Sequence, residues 1–347
     1  MRAMAVTDYQ SPLELIELPR PVARPGFVVL RILTCGVCFS DYKTAKGLMP
    51  YSPTLTLPHV PGHEICGEVV EAGPETGWQI GDRVVAYHYW PCGRCPFCLR
   101  GLENLCIHLA GWTGFTHHGG FEEFLAVPAD RLLRVPDNVP SEQAAPATCA
   151  SGTAYRAVVS RGQVQAGETV VVIGSGGVGL QAIQFAQLAG ARTLAVDIDA
   201  RKLEAARQFG VAGAALGAEE ARAWVEEATA GVGADLVINT VGHADAFALA
   251  AQLVRRAGRI VGVGYTAGQF AQFEMASLVL NEVAILGSRY ALRHEMARVL
   301  NLFAEGKIRA VVDDVLPLEE ANEAFRRLAE GEVVGRTVLR IGQESRP

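Results

Sequence analysis

Lysine is nearly missing from this chain: of 31 basic residues, only Lys43, Lys46, Lys202 and Lys307 are lysines. With alanine and glycine abundant, this reads as the coding bias of a GC-rich genome, and arginine enrichment is too weak a marker to establish heat adaptation. Positive charge is not in excess either. The net charge is −6, which argues against nucleic acid as a partner, since a phosphate backbone calls for a basic face. No run of like charges reads as a tail. No uninterrupted apolar stretch approaches the ~20 residues that span a bilayer, so no membrane partner is expected. The opening MRAMAVTDYQ lacks the apolar segment of a secretory signal. The expectation is a cytoplasmic protein whose eight cysteines stay reduced and available to metals. There is no repeat and no low-complexity segment. What is left is an ordinary globular composition, 50% hydrophobic and 20% charged, over 347 residues, enough for two domains.

Four of the eight cysteines are crowded together. Cys92, Cys95, Cys98 and Cys106 follow the spacing C-x2-C-x2-C-x7-C. Two intervening residues make a turn just long enough for both sulfurs to reach one ion, and Gly93, Pro96 and Gly101 supply the turn formers. Four thiolates favour zinc in a closed tetrahedral shell that holds a loop rather than doing chemistry. An iron–sulfur cluster and a disulfide knot are the competing readings.

Residues 1–150 read as irregular β structure, with β-rich runs such as Phe27–Leu33 and Asp82–Ala86 between Pro and Gly clusters. The cysteine lobe interrupts them at about 88–110. From Thr169 the texture becomes βαβ. Strands are predicted at Thr169–Ile173, Thr193–Val196, Leu236–Asn239, Arg259–Val263 and Val283–Leu286, with helices at Gly179–Leu188, Ala200–Phe209 and Ala246–Leu253. After about Tyr290 the pattern is mixed again, with a helix at His294–Glu305 and a last strand near Thr337–Ile341. The simplest organisation is an α/β chain in which 1–150 and 290–347 form one domain and 151–289 a second, inserted between them.

The inserted part carries Gly174-Ser175-Gly176-Gly177-Val178-Gly179. A lone G-x-G-x-x-G is weak, but here a β-branched strand runs into the glycines and a helix leaves them. Gly174 suits the tight turn, Gly176 a close approach to a pyrophosphate, and Gly179 close packing of helix on strand. The helix start offers free N–H groups to phosphate. Asp197 lies 18 residues past Gly179, at the end of the next predicted strand. A carboxylate there accepts from ribose hydroxyls and repels a 2′-phosphate, so NAD is expected rather than NADP.

The remaining cysteines, Cys35, Cys38, Cys66 and Cys149, are scattered. Cys38, His63 and Cys149 form a plausible metal-binding trio, but spacing alone does not bring them together, and a lone buried cysteine is usually a small hydrophobe. Cys35-Gly36-Val37-Cys38-Phe39-Ser40-Asp41, Gly62-His63-Glu64, the four-cysteine lobe, Cys149-Ala150-Ser151-Gly152-Thr153, the glycine loop and Val334-Gly335-Arg336 nevertheless occur in one order. In that order they resemble the medium-chain zinc-dependent alcohol dehydrogenases over nearly the whole chain. The resemblance implies a GroES-like, mostly-β catalytic domain with a Rossmann cofactor domain inserted, two zinc ions and NAD. It implies Cys38, His63 and Cys149 as ligands of a catalytic zinc, with Glu64 close enough to approach it. Asp41 would orient the histidine, and Ser40 would touch the substrate oxygen and start a proton relay. Thr153 and Val178 would line the nicotinamide, Lys202 the adenosine ribose, and Arg336 the pyrophosphate. Gly177 belongs to the same loop.

Two positions depart from the family's commonest pattern. Phe39 replaces a basic pyrophosphate contact, and Lys43 stands where the relay often ends in histidine; a lysine passes protons only with a lowered pKa. The implied reaction is reversible oxidation of primary and secondary alcohols to aldehydes or ketones. The alternatives are a relative dedicated to a cyclic, diol or acyl-CoA-linked alcohol, and a nucleotide-binding sensor without turnover. Tyr87, Tyr89, Trp90 and Trp112 suggest an aromatic pocket beside the metal, or else packing around the lobe, and His117 and His118 read as an exposed turn. The family implies dimers through an edge near Val283–Tyr290, or tetramers.

Overall fold

The computed structural model describes residues 1–343. The chain divides into two compact units. One comprises Met1–Cys149, Leu292–Gly306 and the tail from Val312, the other Ala150–Ala291 and Lys307–Val311.

The first unit is built on a seven-stranded sheet. Its main path runs Val312–Pro317, Arg336–Arg340, Phe27–Val37, Glu64–Ala72, Arg83–Ala86 and Leu132–Arg134, with Phe124–Pro128 also paired to Phe27–Val37. The long central strand, FVVLRILTCGV, is apolar on both faces, and register shifts at Val29/Leu30 and Ile32/Thr34 accompany its pairing with Glu64–Ala72. Val28, Leu30, Ile32, Val69, Val84, Val127 and Leu339 from these strands share one core. A chain segment more than 250 residues away in sequence thus completes the sheet beside Phe27–Val37.

The second unit is a six-stranded parallel sheet in the order Gly213–Leu216, Arg192–Asp197, Thr169–Ile173, Ala234–Asn239, Val254–Gly262, Ala284–Gly287. In chain order that is 3-2-1-4-5-6, the doubly wound dinucleotide-binding arrangement. TVVVI is buried throughout, as a parallel central strand requires. The strand Gly213–Leu216 and the helix Gly217–Ala228 after it lie in a stretch where the sequence suggested no element. Its residues, GAAL, have little β propensity of their own, and pairing with Leu194–Asp197 imposes the strand. Lys307–Val311 belongs to this unit, not to the tail, because Gln181 and Gln184 donate to Arg309 O at 2.9 and 3.0 Å and Gln184 Oε1 accepts from Arg309 N. Among the described residues, no helix is long and apolar enough to cross a membrane.

Candidate active site and metal centres

In the cysteine lobe, Cys95 Sγ is 3.5 Å from Cys98 Sγ and 3.9 Å from Cys106 Sγ, and Cys106 Sγ is 3.6 Å from Cys92 Sγ. A disulfide needs about 2.05 Å, and all four cysteines are free. A tetrahedron with Zn–S bonds of about 2.3 Å has edges of roughly 3.8 Å, which these separations match; a multi-iron cluster would spread the sulfurs further. The backbone N–H groups of Cys92 and His108 donate to Cys106 Sγ, as expected around a thiolate.

The second group forms within the first unit, and three separate local structures supply it. Cys38 precedes the short helix Phe39–Ala45, whose third residue, Asp41, reaches back to accept from Cys38 N at 2.9 Å, one half of a capping box. Asp41 Oδ1 also accepts from Gly62 N at 3.2 Å and meets His63 Nδ1 at 2.7 Å. One buried carboxylate therefore ties the cysteine turn to the histidine turn and leaves His63 Nε2 to face the Cys38 sulfur, with which the ring hydrogen-bonds. Gly62 takes φ +102°, and a Cβ there would lie 2.5 Å from the Phe121 ring, so only glycine makes this turn. Cys149 comes from a π-helical turn, Ala147–Ser151, directly after Pro146.

Donor atoms of Cys38, His63, Glu64 and Cys149 all lie within 4.8 Å of one another. Hydrogen bonding with Cys149 holds the Cys38 thiol well below its ordinary value, and the same contact, with burial, pushes Cys149 well above. Burial disfavours a charged His63, but Asp41 outweighs it and holds the imidazole well above its usual range. Glu64 is fully buried, and burial pushes its carboxyl up to about 7 against the pull of Arg336. The two form an ion pair at 2.8 Å in which neither Glu64 oxygen receives an aligned N–H. Two sulfurs, one inward imidazole nitrogen and an incompletely bonded carboxylate fit a zinc ion with a position left for substrate.

Phe115 and His88 pack on His63, with ring centroids 4.7 and 5.0 Å away, and Trp112 and Tyr51 continue the aromatic cluster. The aromatic pocket expected around Tyr87 is thus only partly right: Tyr87 is wholly buried, as packing around the lobe would have it. His88 was hidden inside that aromatic run, and Phe115 carried no signal of its own. His117 and His118 are exposed. Ser40 is half-buried on the Phe39–Ala45 helix. Lys43 has its pKa lowered by burial, and its Nζ lies 5.3 Å over the Phe39 ring.

His59, behind this site, is 3% exposed; its Nε2 lies 3.2 Å from Gly114 O. Burial pulls its pKa from 6.5 down to about 4, with His118 and His117 adding repulsion. The folded protein therefore keeps His59 neutral at pH values where the unfolded chain is protonated. This contribution is present above pH 6.5 and is lost as pH falls toward 4, amounting to about 2 kcal/mol by pH 5. His59→Gln should remove that part of the acid slope. Denaturation midpoints at pH 7.5 and pH 5 test it; equal slopes in both proteins would rule it out.

In the second unit, Gly174 has φ +90° and leads into the helix Gly177–Leu188. A Cβ on Gly179 would lie 1.7 Å from Gly174 O, so helix and strand touch there, whereas Gly176 faces open space. Asp197 Oδ2 accepts from Ser175 N at 2.6 Å and Oδ1 from Ile198 N and Asp199 N. The loop and the acid are thus tied together, with an uncovered backbone approach at Gly176, which fits a dinucleotide. Val178 lies in the first turn of that helix, Lys202 on the helix Ala200–Arg207, and Thr153, nearly buried, on Gly152–Tyr155.

A GroES-like sheet carrying two sulfur-rich metal centres, together with a 3-2-1-4-5-6 dinucleotide-binding sheet, defines a zinc-dependent dehydrogenase. Residues 24–137 match the alcohol dehydrogenase GroES-like domain family, and residues 177–305 the zinc-binding dehydrogenase family. The chain is 37% identical to an alcohol dehydrogenase of Geobacillus stearothermophilus over 98% of this chain and 100% of that one. It is 31% identical to an acryloyl-coenzyme A reductase of Metallosphaera sedula over 98% and 99%. The crystal structure of a NAD-dependent alcohol dehydrogenase, 34% identical, superposes with a TM-score of 0.92 over 99% of this chain and 100% of that one. The chain belongs to the medium-chain zinc-dependent alcohol dehydrogenase family.

Proposed function

We propose that the protein is an NAD-dependent alcohol dehydrogenase that interconverts primary and secondary alcohols with aldehydes and ketones. The observation that carries this reading is the convergence of Cys38, His63 and Cys149 with Glu64 behind them. These three hold the catalytic zinc, and Cys92, Cys95, Cys98 and Cys106 the structural one. When bound, zinc supplies Lewis acidity to the substrate oxygen, and NAD accepts the hydride. The chain's own residues do the rest. Asp41 keeps the His63 Nδ1 proton and so fixes which nitrogen faces the metal. Ser40 takes the hydroxyl proton. Lys43, its pKa lowered by burial, is suited to pass it on. Asp197 and Lys202 hold the ribose, Gly174, Gly176, Gly177 and Gly179 admit the pyrophosphate, and Thr153 and Val178 face the nicotinamide.

The protein would work in the cytoplasm as a dimer or tetramer. Met275, Val279 and Leu280 are at least 67% exposed, beside the edge strand Ala284–Gly287, and support an interface there. The zinc-loaded protein should oxidise ethanol, propan-2-ol and cyclohexanol with NAD in strong preference to NADP. Absence of oxidation of any simple alcohol would overturn the reading. Reduction of acryloyl-CoA alone would move the function to the second reading, an acyl-CoA-dedicated enzyme, which the Metallosphaera relative favours.

A further inference from the structure

Gly36 stands directly opposite Glu64 in the ladder between Phe27–Val37 and Glu64–Ala72. On its other side it pairs with Val338 of Arg336–Arg340. Glu64 and Arg336 therefore belong to two strands separated by a third, yet their charged ends meet at 2.8 Å. The Glu64 side chain spans the central strand at Gly36. A Cβ there would lie 2.1 Å from Glu64 Oε2, 3.0 Å from its Cβ and 3.1 Å from its Cδ, inside the 3.5–4.0 Å at which carbon atoms pack. Gly36 is not among the residues with positive φ. Alanine would suit its backbone, so what the position needs is the missing side chain and not glycine's conformational freedom.

We propose that Gly36 is a positioning residue: it leaves the gap over the central strand through which Glu64 reaches Arg336, and so keeps the carboxylate from settling on the metal-binding set. This rests on the reading of Cys38, His63 and Cys149 as the catalytic zinc site. A side chain at 36 displaces a carboxylate whose oxygen already lies within 4.8 Å of the sulfur and nitrogen donors. The displaced group takes up the ion's exchangeable position.

The test compares Gly36→Ala, Glu64→Asp and the double variant, each with cobalt(II) at the catalytic site, by visible absorption and by the rate of ion removal with a chelator. Gly36→Ala should shift the cobalt bands, slow ion removal and lower kcat about ten-fold, with KM changing less. In the Glu64→Asp background, where the shortened carboxylate no longer crosses position 36, the alanine should have little further effect on the spectrum. An unshifted spectrum in Gly36→Ala, or the same shift in both backgrounds, would overturn the proposal. If only the double variant folds, the clash with the carboxylate is supported; if neither folds, it is refuted. The cobalt spectra need no turnover, so a wild-type protein that oxidises no alcohol would defeat the functional reading while these arms still decide the role of Gly36.

Discussion

Cys38→Ser is expected to abolish turnover, by on the order of a thousand-fold or more, while zinc content falls from two ions per chain to about one. Serine is nearly isosteric but remains a neutral hydroxyl at pH 7, a poor partner for an ion that prefers thiolate. The fold should survive. The cysteine turn is held by Asp41, which accepts from Cys38 N through the backbone and so does not need the sulfur. His63 also keeps its Asp41 partner, which favours the charged ring despite burial. Metal analysis and thermal melting of the purified variant check both halves. Full activity with one zinc would remove Cys38 from the catalytic set, and collapse of the fold would mean that the ion, not Asp41, holds the two turns together.

How far the sequence foretold this site depends on the separation of its parts. The cysteine lobe was legible because its four ligands fall within fifteen residues, and a local turn fixes their geometry. The glycine loop was legible because TVVVI, the glycines and Asp197 follow one another at the spacing that a βαβ unit imposes. Cys38, His63 and Cys149 were legible only through resemblance, since nothing in their spacing says that a helix cap, a glycine turn and a π-helical turn converge. The Glu64–Arg336 pair was not foreseen at all: 272 residues apart, the two meet because the tail strand Arg336–Arg340 adds to the sheet beside Phe27–Val37. The strand Gly213–Leu216 was missed for the opposite reason, because GAAL has no β-branched or aromatic residue to announce a strand that only its neighbour enforces.

Cys98→Ser should divide the two metal centres from the other side. Within 92–108 only Cys95, Asn104 and Cys106 are buried, so the lobe has no apolar core of its own and depends on its ion for order. Glu103 anchors its base, accepting from Arg293 N at 2.9 Å and pairing with Arg131. These exposed or half-buried contacts, each worth about 1 kcal/mol, cannot replace a closed four-sulfur shell. The variant should lose one zinc per chain, melt lower by on the order of 10 °C and become open to proteolysis at Arg94 and Arg100, while retaining most of its activity well below the new transition. Cys38, His63 and Cys149 share no ligand with the lobe, so the lost ion should be the structural one. An unchanged melting temperature with no activity would invert the division of labour, making the lobe part of the chemistry and leaving the first unit stable without it.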